Sequence, residues 1–147
     1  WKRLSIRENY NGIKLPTEAR HINDGLLRLL AIFAQLDSDQ SFLLLDEIEN
    51  GINIELVEYL MDSLVQAESQ VLVTTHSPLV LNYLDDDVAM GGVNYLYKSD
   101  DGITHAIRFF DIPSMRNKLE VMGPGEVYED TSLTLLADEI ATLLPED

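Results

Sequence analysis

Apolar and polar side chains alternate from Leu4 to Glu8, and an Asn11-Gly12 pair precedes Ile13 and Leu15. A period of two on either side of Asn-Gly predicts a β-hairpin. The period then lengthens. Leu26 to Leu36 is apolar except for Arg28 and Gln35, which lie seven positions apart and share one edge. That pattern predicts a helix buried on nearly every side, with Asn23 or Asp24 placed to cap it. Phe42 to Leu45 shows no alternation at all, as expected of a strand covered on both faces. From Ile54 to Gln66, Leu56, Val57, Leu60 and Leu64 keep helical spacing, opposite Glu55, Glu58 and Asp62. Val71 to Val73 reads as a second short buried strand. Ser77 followed by Pro78 then forms a good helix start, a capping hydroxyl before a first-turn proline.

The second half is patterned less sharply. Val93 to Tyr97 and His105 to Phe110 flank "KSDDGIT" and predict another hairpin. After Gly123-Pro124-Gly125, read as a turn, the positions Leu133, Leu136, Ala137, Ile140 and Leu143 mark a closing amphipathic helix. Two apolar strands joined by a helix make a βαβ unit, so the expected class is α/β with a parallel sheet and flanking β-hairpins. No repeat, low-complexity linker or composition shift interrupts residues 1–147, which are expected to form a single domain.

Composition narrows the function classes. The chain has 147 residues and a formal net charge of −16, with ten Lys plus Arg against 26 Asp plus Glu. Six of the ten cations fall between Lys2 and Arg28, and none lies between Leu29 and Tyr97, a stretch holding twelve acids. Such a surface repels phosphate backbones, which argues against direct nucleic-acid contact. No cysteine is present, so neither a disulfide framework nor a thiolate zinc site is possible. The apolar runs are too short for membrane-spanning helices, and a cytoplasmic location is expected.

The chemistry concentrates where the two buried strands end. In parallel α/β sheets ligands bind outside the carboxyl ends of the strands. Asp46 and Glu47 follow the first strand there, and Thr74, Thr75 and His76 follow the second. An apolar run ending in Asp-Glu is the pattern of a Walker B strand. Its Asp holds Mg²⁺, and the next carboxylate orients and deprotonates an attacking water.

The ordered set "INDGLLRLL", "LLLDEIENG" and "VLVTTHSP" resembles the C-terminal lobe of ABC-type P-loop ATPases. Within them it is similar to the AAA-ATP-binding branch that includes RecF, chromosome-maintenance and phage-defence ATPases. The resemblance spans roughly Leu4 to Leu84. It implies that Ile22 to Leu30 is the signature segment, whose usual form in this branch is Ser-Asp-Gly-x-x-Arg, with Asn23 replacing the Ser. By the same resemblance Asp46 would hold Mg²⁺, Glu47 would be the catalytic carboxylate and His76 would contact the γ-phosphate. Glu49-Asn50-Gly51 would form a D-loop. Asn23, Asp24 and Gly25 would meet ATP held by a second subunit, a role that suits the free N–H groups of a helix N-terminus. Arg28 would orient the signature or pair with an acid.

One part of such an ATPase is absent from the sequence. The chain contains no G-x-x-x-x-G-K-[ST], and "MGPGEVYED" lacks the lysine. The expectation is therefore a C-terminal fragment or separately made lobe. It would work with an N-terminal Walker A lobe, dimerise on ATP and bind ATP weakly alone. Two other readings compete: an interaction module with degenerate motifs and an acidic docking face, and a stand-alone metal-dependent hydrolase. Asp46 and Glu47 are neighbours, and on an extended strand they would point to opposite faces. That is awkward for two ligands to one ion.

Overall fold

The structure, a computed structural model, describes residues 5–18, 21–99 and 101–143. Leu4, at the start of the expected hairpin, and Asp100, in the second hairpin turn, lie outside them. The chain forms two compact units, one up to Thr74 and one from Thr75 onward.

In the first unit β1 (Ser5–Tyr10) and β2 (Ile13–Glu18) pair antiparallel, with Tyr10 opposite Ile13. Asn11 and Gly12 take φ of 49° and 87°, the doubly left-handed turn whose twist matches the strands it joins. Helix α1 (Asp24–Leu36) starts at Asn23, whose side-chain oxygen accepts from the Leu26 N–H at 2.8 Å. This cap satisfies one of the N–H groups left open by helix geometry. Strand β3 (Phe42–Leu45), helix α2 (Ile54–Val65) and strand β4 (Gln70–Val73) form the expected parallel βαβ unit, Leu45 opposite Val73.

The core of this unit holds Leu29 and Ile32 of α1, Leu43 of β3, Ile48 and Ile52 of the following loop, and Val57, Leu60, Met61 and Leu64 of α2. Each fully buried aliphatic side chain there contributes about 1.5–3 kcal/mol. Several burial expectations change, among them that for Leu56 of α2, which is exposed. Helix α1 buries one stripe, Gly25, Leu29 and Ile32, and leaves Leu30 exposed. Strand β3 is covered on one face only: Leu43 is buried, whereas Phe42 is 48% and Leu44 61% exposed, as is Leu72 of β4 at 51%. An uninterrupted apolar strand pattern reports the cover a sheet is suited to, and the described residues supply that cover on one side.

The second unit opens with a 3₁₀ turn, Pro78–Tyr83. Ser77 precedes it but makes no side-chain cap. Instead the Ser77 N–H donates to Thr75 Oγ1 at 3.0 Å. A short helix missed by periodicity follows, α3 (Asp86–Gly92), so Asp86 and Asp87 sit in a helical first turn where the dipole favours acids. The expected hairpin forms from β5 (Asn94–Lys98) and β6 (Thr104–Arg108), but its second strand stops at Arg108 and Phe109–Asp111 turns into a short 3₁₀ helix. In its turn Asp101 accepts from the Ser99 hydroxyl, which more than any other group holds this exposed carboxyl below its ordinary range. Two further short helices, α4 (Pro113–Leu119) and α5 (Pro124–Glu129), precede α6 (Leu133–Leu143). The glycine-rich segment starts α5: Gly123 is its N-cap, and Glu126 Oε2 accepts from the Gly123 N–H at 3.0 Å. Phe109, Phe110, Ile112, Met115, Leu119, Val127, Leu136 and Ile140 pack as this unit's core. Its centre is an edge-on Phe109–Phe110 pair with ring centroids 5.0 Å apart.

Candidate active site

The apolar run of β3 stops at Leu45, and the chain turns at once. Glu47 takes φ of 46°, a left-handed conformation that costs a non-glycine residue on the order of 1 kcal/mol or more. It persists because the surroundings hold it from three directions. Thr74, at the tip of β4, accepts the Glu47 N–H on its Oγ1 at 2.9 Å and donates its hydroxyl to Asp46 Oδ1. The Thr74 backbone carbonyl takes the Ile48 N–H at 3.1 Å, anchoring the far side of the turn to a fully buried side chain. Within the loop, Asn50 donates its backbone N–H to the Glu47 carbonyl at 2.9 Å and its side-chain amide to Glu47 Oε2 at 3.3 Å.

Arg28 comes from the second turn of α1 and meets no carboxylate in these contacts. Its Nη1 donates to the Asn50 carbonyl at 2.9 Å, and its Nη2 donates to the carbonyls of Asp46 and Glu47, the latter at 2.9 Å. One planar guanidinium thus gathers three carbonyls of one loop, which suits its fixed fork of donors. The expected choice for Arg28 was between the signature segment and an acid. The contacts made are instead with the acidic loop's backbone.

A second link joins the same elements. At Gly25 a Cβ would lie 1.8 Å from the Gly51 carbonyl oxygen, so only glycine allows the first turn of α1 to press on the end of the loop. Gly51 itself has φ of 74°. Of residues 23–25, Asn23 caps the helix, Asp24 is exposed in its first turn, and Gly25 is the one buried against the loop, at Gly51. His76 belongs to the second unit, where it is exposed, two residues beyond Thr74 in the chain.

The opposite-face argument against joint work by Asp46 and Glu47 rests on an extended strand. The strand has ended by Asp46, and the left-handed step at Glu47 breaks the alternation. Sequence reading missed this step, the bridging hydroxyl of Thr74 and the target of Arg28. The one available signal was a glycine in a helical first turn, where a more helix-favouring residue is expected unless backbone approaches closely.

Asp46 presents an exposed carboxylate whose Oδ1 takes the Thr74 hydroxyl. Among the described residues no three His, Asp or Glu side chains gather into a closed cage for a metal. Magnesium is commonly held by one or two carboxylates together with waters and substrate phosphates, and the donor set at Asp46 fits an open site of that kind.

Residues 2–82 match the family described as "AAA domain, putative AbiEii toxin, Type IV TA system". The chain belongs to this AAA-domain family. The match covers β1 to β4 and so includes all the loop geometry above, ending within the 3₁₀ turn that opens the second unit. The AAA domain is of the nucleotide-binding, P-loop-ATPase-like class, in agreement with the α/β architecture. No curated protein matches the chain. Among the described residues, no helix of the AAA domain or beyond it is long and apolar enough to cross a membrane.

Proposed function

We propose that this AAA domain is the hydrolytic half of an ABC-type ATPase head, working on ATP with Mg²⁺. Asp46 holds the metal, Glu47 orients the attacking water and takes its proton, and His76 contacts the γ-phosphate. Asn23, Asp24 and Gly25 serve ATP bound to a second copy, so nucleotide binding draws two heads into a homodimer. The phosphate-gripping half comes from an N-terminal Walker A lobe, because no segment of this sequence supplies a P-loop.

The observation that carries this reading is the Thr74 hydroxyl. It joins the Asp46 carboxylate to the Glu47 N–H at the carboxyl ends of two parallel strands, where α/β proteins bind ligands. A base must sit within hydrogen-bond reach of the water it activates, and here Glu47 is fixed by its backbone before any substrate arrives. When bound at Asp46, Mg²⁺ supplies charge neutralisation for the triphosphate. Exposed Phe42, Leu44 and Leu72 further support a completing lobe, since parallel sheets are normally covered on both faces.

Glu47→Gln in the complete ATPase keeps the shape of the side chain and removes the base. Steady-state turnover should fall by about 10²–10⁴-fold while ATP binding persists and the dimer is trapped. Undiminished turnover in that variant would refute the assignment.

A further inference from the structure

We propose that Arg28 is a positioning residue for hydrolysis, setting the geometry of Asp46 and Glu47 through their backbone carbonyls. The inference rests on the proposed function of the acidic loop and goes beyond it by adding a residue that touches no substrate.

Three features separate this role from an ordinary surface contact. The guanidinium divides its donors: Nη1 serves the Asn50 carbonyl, and Nη2 serves those of both Asp46 and Glu47. These carbonyls bracket the left-handed residue, Glu47, whose conformation needs outside support. The same helix meets the same loop a second time, three residues earlier, where Gly25 presses on the Gly51 carbonyl. Helix α1 and the loop from Asp46 to Gly51 are thus joined at two points, and Arg28 is the polar one. A lysine keeps the charge but offers donors from a single point, so it cannot reproduce a fork spread over three carbonyls. Releasing the clamp lets Glu47 relax from its strained backbone and carries its carboxylate away from the water it would activate.

The test compares Arg28→Lys, Arg28→Ala and Glu47→Gln in the complete ATPase. Both Arg28 variants should lower kcat by about 10–100-fold with KM for ATP nearly unchanged, since misplacement of a catalytic group by about an ångström has costs of that order. Methylguanidinium added to Arg28→Ala should restore part of kcat, because the small cation refills the three-carbonyl site. A kcat equal to wild type in both variants would overturn the proposal. So would a loss of kcat that tracks a loss of folded protein or of ATP affinity, with no guanidinium rescue, since that describes a merely structural residue. Turnover that survives Glu47→Gln would instead overturn the reading of the loop itself, so the two failures are told apart.

Discussion

Leu44, in the sheet of the first unit, is 61% exposed, while Phe109, in the core of the second, is 1% exposed. The first unit carries every motif of the chain up to Thr74, a strained Glu47 and an apolar sheet face left open on one side. The second carries a closed aromatic and aliphatic core. The difference teaches that the apolar residues of the two regions do different work. Those of the second unit stabilise it from within. Those on the outer face of β3 and β4, Phe42, Leu44 and Leu72, stand exposed, while the polar network at the strand tips joins the two strands through Thr74.

The contrast can be broken from either side. Phe109→Ala should cost about 3–5 kcal/mol, read as a lower midpoint in urea unfolding, because a fully buried ring leaves a cavity behind. Gly25→Ala tests the tight spot in the first unit. Alanine is the better helix former by about 1 kcal/mol, yet its Cβ meets the Gly51 carbonyl at 1.8 Å. The clash should win, giving a net loss of about 1–3 kcal/mol in the same unfolding measurement. Leu44→Gln should change the stability of the isolated chain by no more than about 0.5 kcal/mol, as is usual for exposed positions. If this face docks the proposed Walker A lobe, the same change should weaken that association, measured by titration calorimetry. Strong destabilisation of the isolated chain would show that the face of β3 is already covered.

Much of the first unit was legible in the sequence because its signals are local. The Asn11-Gly12 turn, the Asn23 cap and the unbroken apolar run of Phe42 to Leu45 each specify backbone within a few residues. The short helices α3, α4 and α5 were not legible, since six or seven residues do not establish a 3.6-residue period. At the site, the identities of Asp46 and Glu47 stood out as acids ending an apolar strand. Their arrangement did not. It depends on Thr74, 28 residues from Asp46, and on Arg28, 18 residues away, meeting the loop in three dimensions. Hydrogen bonds from a hydroxyl or guanidinium to distant backbone leave no mark in spacing. The same limit explains α1 and β3, where apolar pattern reported a potential for burial and the fold used half of it.

ATP hydrolysis by this chain with Mg²⁺, measured alone and after addition of the proposed Walker A lobe, separates half of a site from a complete one. Turnover is expected only in the mixture, and should be lost when the chain carries Glu47→Gln. Hydrolysis by the chain alone, or by a mixture carrying Glu47→Gln at the wild-type rate, would contradict the proposed function.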